Sequence, residues 1–102
     1  MNIFQSIFGN SSNVNLKNLI DDGAFLVDVR TPGEFASGQV KGSINIPLDT
    51  LPAQLNKFKN KKHIIVFCRS GSRSAQAKTF LEQQGIQQVT NGGAWDHVQQ
   101  FV

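Results

Sequence analysis

"HIIVFCRSGSRSA", residues 63–75, is the stretch whose reading decides the fold. Its first half, Ile64 to Phe67, is an unbroken β-branched and aromatic run of the kind that forms a central strand buried on both faces. Its second half changes abruptly to glycine, three serines and two arginines. From Ser72 to Gln84 the pattern becomes helical, with Ala77, Phe80 and Leu81 on one face and Gly85 as the stop. A strand that passes through a short polar turn into a helix is the repeating unit of an α/β domain. The only cysteine of the chain, Cys68, stands at that junction.

The same alternation continues outward. "AFLVDVR" (24–30) reads as a second buried strand ended by charge. "TPGEFASG" (31–38) then gives a helix start: Thr31 as N-cap, Pro32 at the first helical position and Glu34 three residues after the cap, the signature of a capping box. "SINIP" (43–47) is a short strand. "TLPAQLNKFKN" (50–60) places Leu51, Leu55 and Phe58 at i, i+4 and i+7, which predicts an amphipathic helix. "IQQVT" (86–90) predicts a last strand, "NGG" (91–93) a turn and "AWDHVQQFV" (94–102) a final helix. Before them all, Asn15 caps a short helix through Leu16, Leu19 and Ile20, stopped at "DDG". This order implies a mostly parallel sheet with helices on both faces. Residues 1–13 read as an N-terminal arm and 14–102 as a single domain.

Composition narrows the function. A chain of 102 residues with 39% hydrophobic and 17% charged residues has the make-up of one soluble globular domain. The net charge is +3, and the main basic run, Lys57, Lys59, Lys61 and Lys62, reads as a solvated helix end and turn. No nucleic-acid partner is expected from it. One cysteine excludes an internal disulfide framework. Cys68 with two scattered histidines, His63 and His97, offers no recognisable metal spacing, so no metal or other cofactor is expected. Neither a signal peptide nor a membrane span is legible, and a cytoplasmic location with no membrane partner is the expectation.

The chemistry concentrates in the turn. A thiol reacts as thiolate, and helix N-termini and nearby cations lower its pKa. In "CRSGSR" the amides of residues 69–73 can curl around the sulfur, and Gly71 permits a positive φ. Arg69 and Arg73 bring charge that can fork onto an anion, while Ser70, Ser72 and Ser74 offer hydroxyls. His63 belongs to the opposite end of the strand, and both histidines read as surface residues. Activation of Cys68 then rests on the loop itself. Asp28 and Arg30 end a strand parallel to that of Cys68. They are candidates for the pocket rim or for structural support, with Arg30 facing a carboxylate such as Glu34. Trp95 reads as core packing.

Three blocks of the chain, "LVDVRTPGEFASGQVKGSINIPL", "IIVFCRSGSRSAQAKTFLEQQG" and "NGGAWDHV", together resemble the single-domain rhodaneses, a family of sulfurtransferases. The resemblance spans residues 14–98. It implies a five-stranded parallel sheet flanked by helices and makes Cys68 the nucleophile, with Arg69, Ser70, Gly71, Ser72 and Arg73 as its substrate-binding cradle. The implied reaction takes a sulfane sulfur from thiosulfate, releases sulfite and holds the sulfur as a Cys68 persulfide. Cyanide, a thiol or a sulfur-acceptor protein then removes it. Gln39 and Lys41 stand where the family often has His and Pro, which concerns turn stability rather than chemistry. Cysteine phosphatases carry one residue more between nucleophile and arginine, so a phosphatase or arsenate reductase is the rival enzyme. A persulfide carrier or binding module that does not turn over is the rival from another class.

Overall fold

A computed structural model describes residues 16–102. The proposed arm and the Asn15 cap lie outside the described residues. The strands are β1 (Phe25–Asp28), β2 (Ile44–Asn45), β3 (Ile64–Cys68) and β4 (Val89–Ala94), all parallel, in the order β2-β1-β3-β4. The sheet therefore has four strands among the described residues, where the family resemblance implied five. The helices are α1 (residues 16–21), α2 (Pro32–Ser37), α3 (Ser72–Gln83) and α4 (Trp95–Val98), with 3₁₀ segments at Leu48–Phe58 and Gln99–Phe101.

Strand β3 is central because every one of its side chains finds apolar surroundings. Ile64, Val66 and Cys68 join Val27, Leu51, Phe58, Ala77 and Leu81 on one face, under α3 and the long 3₁₀ segment. Ile65 and Phe67 join Leu16, Leu26, Val40 and Val98 on the other, under α1 and α4. The period-two alternation of a strand thus divides one continuous apolar run between two cores. Parallel pairing with β1 sets Asp28 opposite Phe67, so the polar ends of the two strands emerge side by side.

Helix α2 begins as its sequence predicts. The Thr31 hydroxyl accepts from Glu34 N, and Glu34 Oε1 accepts from Thr31 N at 3.1 Å, with Pro32 in the first turn. Two expectations are corrected. The amphipathic segment after Pro47 forms 3₁₀ turns over Leu48–Phe58, with Pro52 inside and a break at Gln54 (φ −122°, ψ 23°), while Leu51 and Phe58 are still buried. Proline lacks the N–H of a regular α-helical ladder, which explains the departure.

Residues 91–93 are strand rather than turn. Asn-Gly is a strong turn signal, but here pairing with β3 continues past it: Val66 pairs with Asn91 and Phe67 with Gly93, leaving Gly92 as the extra residue of a bulge. A Cβ at Gly92 would lie 2.8 Å from Val98 Cγ2 and 2.9 Å from Ile65 Cγ2. The glycine allows α4 to close on β3, and the bulge re-aims the end of β4 toward the Cys68 loop.

Candidate functional site

Cys68 is the last residue of β3, and its side chain is 1% exposed. The chain then turns at Gly71, in the left-handed region at φ 98°, where a side chain would be strained. That turn aims two amides back at the sulfur: Gly71 N donates to Cys68 Sγ at 3.1 Å and Ser74 N at 3.4 Å. The Ser74 hydroxyl lies 3.5 Å from the same sulfur. Burial opposes ionisation of the thiol, but the Ser74 hydroxyl and amide and the amides of Ser70 and Gly71 outweigh it. The net effect holds the Cys68 pKa below its ordinary value. No histidine takes part in these contacts. His63 binds Asp22 at the far end of β3, and His97 packs edge-on against Phe101; both are partly buried.

The three arginines behave differently. Arg30 and Asp28 form a buried pair, with Arg30 Nε and Nη2 reaching both carboxylate oxygens at 2.7–3.0 Å and Arg30 N adding a fourth bond to Asp28. Arg30 also donates to Gly38 O and lies 4.6 Å from the Trp95 ring centroid, a cation–π contact. Its carboxylate partner is therefore Asp28, not Glu34. Glu34 instead receives Arg73 bidentately, at 2.7 and 3.0 Å. The Arg73 guanidinium, then the Thr31 amide, hold the Glu34 carboxyl down at about 2. Arg69 is exposed and makes no ion pair among the described residues.

Beside the loop lies a cleft of about 350 Å³ lined by Arg30, Glu34, Ser37, Arg69, Trp95 and Asp96. Trp95 packs against the second core as expected, covers Gly38, and also walls this cleft. Of the residues singled out in the sequence, Cys68, Gly71 and the backbone of Ser70 are thus brought together around the sulfur. Arg69 and Arg30 line the neighbouring cleft, Ser72 opens α3 as an exposed residue, and the buried Asp28 holds Arg30 in place.

Sequence reasoning offers Ser74 only as one of three hydroxyl donors, without placing it next to the sulfur, and passes over Asn91. Asn91 Oδ1 accepts from the Ser74 hydroxyl at 2.7 Å and from Gly93 N at 2.9 Å, while its Nδ2 donates to Gly71 O at 3.2 Å. The helical spacing of Ser74 from the turn was a usable signal. Asn91 had none, because its segment read as a turn. Among the described residues no group of three His, Cys, Asp or Glu side chains is placed to hold a metal ion, and no helix is long and apolar enough to cross a membrane.

Comparison with known proteins adds four findings. The family model described as Rhodanese-like domain matches residues 12–94. A protein named sulfurtransferase from Allochromatium vinosum is 37% identical over 78 residues, covering 72% of this chain and 73% of that protein. Thiosulfate sulfurtransferase PspE of Escherichia coli is 35% identical over 69 residues, covering 66% of each. Among solved structures, a rhodanese-like domain protein from Staphylococcus aureus superposes with a TM-score of 0.72 at 34% identity, covering 85% of this chain and 86% of that one.

Proposed function

Because the chain belongs to the rhodanese-like family, we propose that it is a sulfurtransferase in which Cys68 carries the transferred sulfur as a persulfide. The observation that carries this reading is the cradle: a sulfur at the end of a central strand, met by the Gly71 and Ser74 amides at 3.1 and 3.4 Å. Fixed amide dipoles favour the thiolate and need no reorganisation when charge forms or leaves. The Cys68 thiolate attacks the outer sulfur of thiosulfate. The S–S bond of the donor breaks, sulfite departs with the electron pair, and the outer sulfur is bound to Cys68. Cyanide or an acceptor thiolate then attacks that sulfur, and Cys68 leaves as thiolate to complete the cycle.

Thiosulfate is a dianion, and Arg69, which makes no ion pair among the described residues, is the cation beside Cys68 that is placed to meet it. It is exposed, adjacent to Cys68 and part of the cleft wall. Arg73 reinforces the loop through Glu34 and contributes its charge from there. The same pairing weighs against a phosphatase, whose phosphate needs an arginine fork that is not already filled. The loop length agrees, with four residues between Cys68 and Arg73. A persulfide carrier that delivers its sulfur to a partner protein would use the same cysteine and the same open cleft, and differs only in the acceptor.

Intact mass spectrometry of the reduced protein mixed with thiosulfate tests the proposal. A gain of one sulfur atom, absent in Cys68→Ser, is the expected result, and repeated turnover with thiosulfate and cyanide, rather than a single discharge of the bound sulfur, distinguishes catalysis with a small acceptor from relay. No adduct, together with hydrolysis of an aryl phosphate, overturns the reading.

A further inference from the structure

The Ser74 hydroxyl is buried and has three acceptors around it: Asn91 Oδ1 at 2.7 Å, Gly71 O at 3.1 Å and Cys68 Sγ at 3.5 Å. A hydroxyl has one proton to donate and two lone pairs with which to accept. The orientation of the Asn91 amide is fixed independently. Its Oδ1 faces the Gly93 N–H and its Nδ2 faces the Gly71 carbonyl, so rotating the amide would set donor against donor and acceptor against acceptor. The shortest of the three contacts is therefore a Ser74 O–H donated to Asn91.

That arrangement leaves a Ser74 lone pair toward the sulfur, where a Cys68 S–H can donate. A Cys68 thiolate needs the reverse, with the Ser74 proton swung from Asn91 to the sulfur. We propose that Asn91 is a positioning residue for the sulfur chemistry. By competing for the Ser74 proton, it sets how readily Cys68 becomes a thiolate and how readily it leaves as one. The proposal rests on the reading of Cys68 as the sulfur-carrying nucleophile. In the resting thiol the chain of donors runs Cys68 S–H to Ser74 Oγ, then Ser74 O–H to Asn91 Oδ1. When thiosulfate has delivered its sulfur, the inner Cys68 atom carries no charge and the hydroxyl returns to Asn91. When an acceptor attacks the outer sulfur, negative charge grows on Cys68 Sγ and the hydroxyl turns to meet it. The hydroxyl is thus bonded in every state of the cycle, and Asn91 holds it in the states where the sulfur is neutral.

The charged groups around the thiol come from several elements: Arg69 on the loop, the Arg73–Glu34 pair from α3 and α2, Asp28 at the end of β1 with Arg30 just beyond it, and Asp96 on α4. None of them is hydrogen-bonded to Asn91, whose partners are Ser74, Gly71 and Gly93. The test is the pH midpoint of thiolate formation in the full chain, read by thiolate absorbance and by the rate of iodoacetamide alkylation. Neither readout requires sulfurtransferase activity, so this inference can fail separately from the proposed function.

Asn91→Asp keeps the acceptor and strengthens it, and the midpoint is expected to rise by about one pH unit, a roughly tenfold loss of thiolate below the midpoint. Part of that rise is the new charge itself, so the deciding comparison repeats the substitution in a Ser74→Ala background. There the rise is expected to shrink to less than half. Asn91→Ala, which adds no charge, is expected to move the midpoint with Ser74 present and to leave it unchanged with Ser74 absent. Shifts of equal size in the two backgrounds, for either variant, overturn the proposal, as does the absence of any shift when Ser74 is present.

Discussion

Strands β1 and β3 run side by side and end in the same way, with a buried acidic side chain followed shortly by arginine, yet the two ends do different things. At the end of β1, Asp28 is fully buried and Arg30 is 4% exposed, and four hydrogen bonds join the two residues. At the end of β3, Cys68 is just as buried, but no arginine touches the sulfur; amides and one hydroxyl do. An anion matched by a full internal cation is a fixed structural joint. A sulfur held by dipoles can gain and lose charge, and its neighbour Arg69 makes no ion pair among the described residues. On the proposed function, one sheet edge thus separates support from chemistry.

Substitutions can break this contrast, and the largest effect belongs to the joint. Arg30→Met leaves Asp28 buried without its cation, and the expected loss of stability is about 3–5 kcal/mol by chemical denaturation. Adding Asp28→Asn to the same chain is expected to restore part of it. The division of labour fails if Arg30→Met folds with unchanged stability and loses thiosulfate turnover instead.

The next effect belongs to the free arginine. Arg69→Ala is expected to lower kcat/KM for thiosulfate by about 1.5–3 kcal/mol, the range of a charge-assisted hydrogen bond, with little change in the denaturation midpoint. Steady-state kinetics that show no loss would remove Arg69 from the binding role.

The smallest effect belongs to Glu34, which bridges the two strand ends through α2 and Arg73. Its carboxyl lies at about 2 when folded against an ordinary 4.5. A lowered folded pKa contributes stability that is fully present above about 4.5 and is lost as the pH falls toward about 2. Glu34→Gln is expected to flatten that part of the stability profile. At neutral pH it is expected to cost only about 0–1 kcal/mol, since the pair is partly exposed. A profile as steep as the parent's between those limits would place the acid sensitivity elsewhere.

The sequence made some of this legible and hid the rest for physical reasons. Residues 64–68 announced a central strand because both faces had to be apolar, and Thr31, Pro32 and Glu34 announced a helix start because capping is local. The place of Cys68 was legible because a strand, a glycine turn and a helix follow one another within a few residues. The arginine partners were not, since Arg73 meets Glu34 across 39 residues and only the tertiary fold brings the two together. Asn91 was hidden by a conflict of rules. Asn-Gly favours a tight turn locally, but pairing with β3 and the tight fit around Gly92 hold it in the sheet. The 3₁₀ segment was hidden likewise: Thr50 and Pro52 read as the start of an α-helix, whereas in the fold Pro52 lies inside a segment that begins at Leu48.

The chain has one tryptophan, and the fold places it where a spectroscopist would have put a dye. Trp95 stacks on Arg30 at 4.6 Å, covers Gly38 and walls the cleft that Arg69 also lines. Its emission is therefore a built-in optical reporter of that cleft, free of interference from any second indole. Changes in that cleft can be followed in real time without attaching a label.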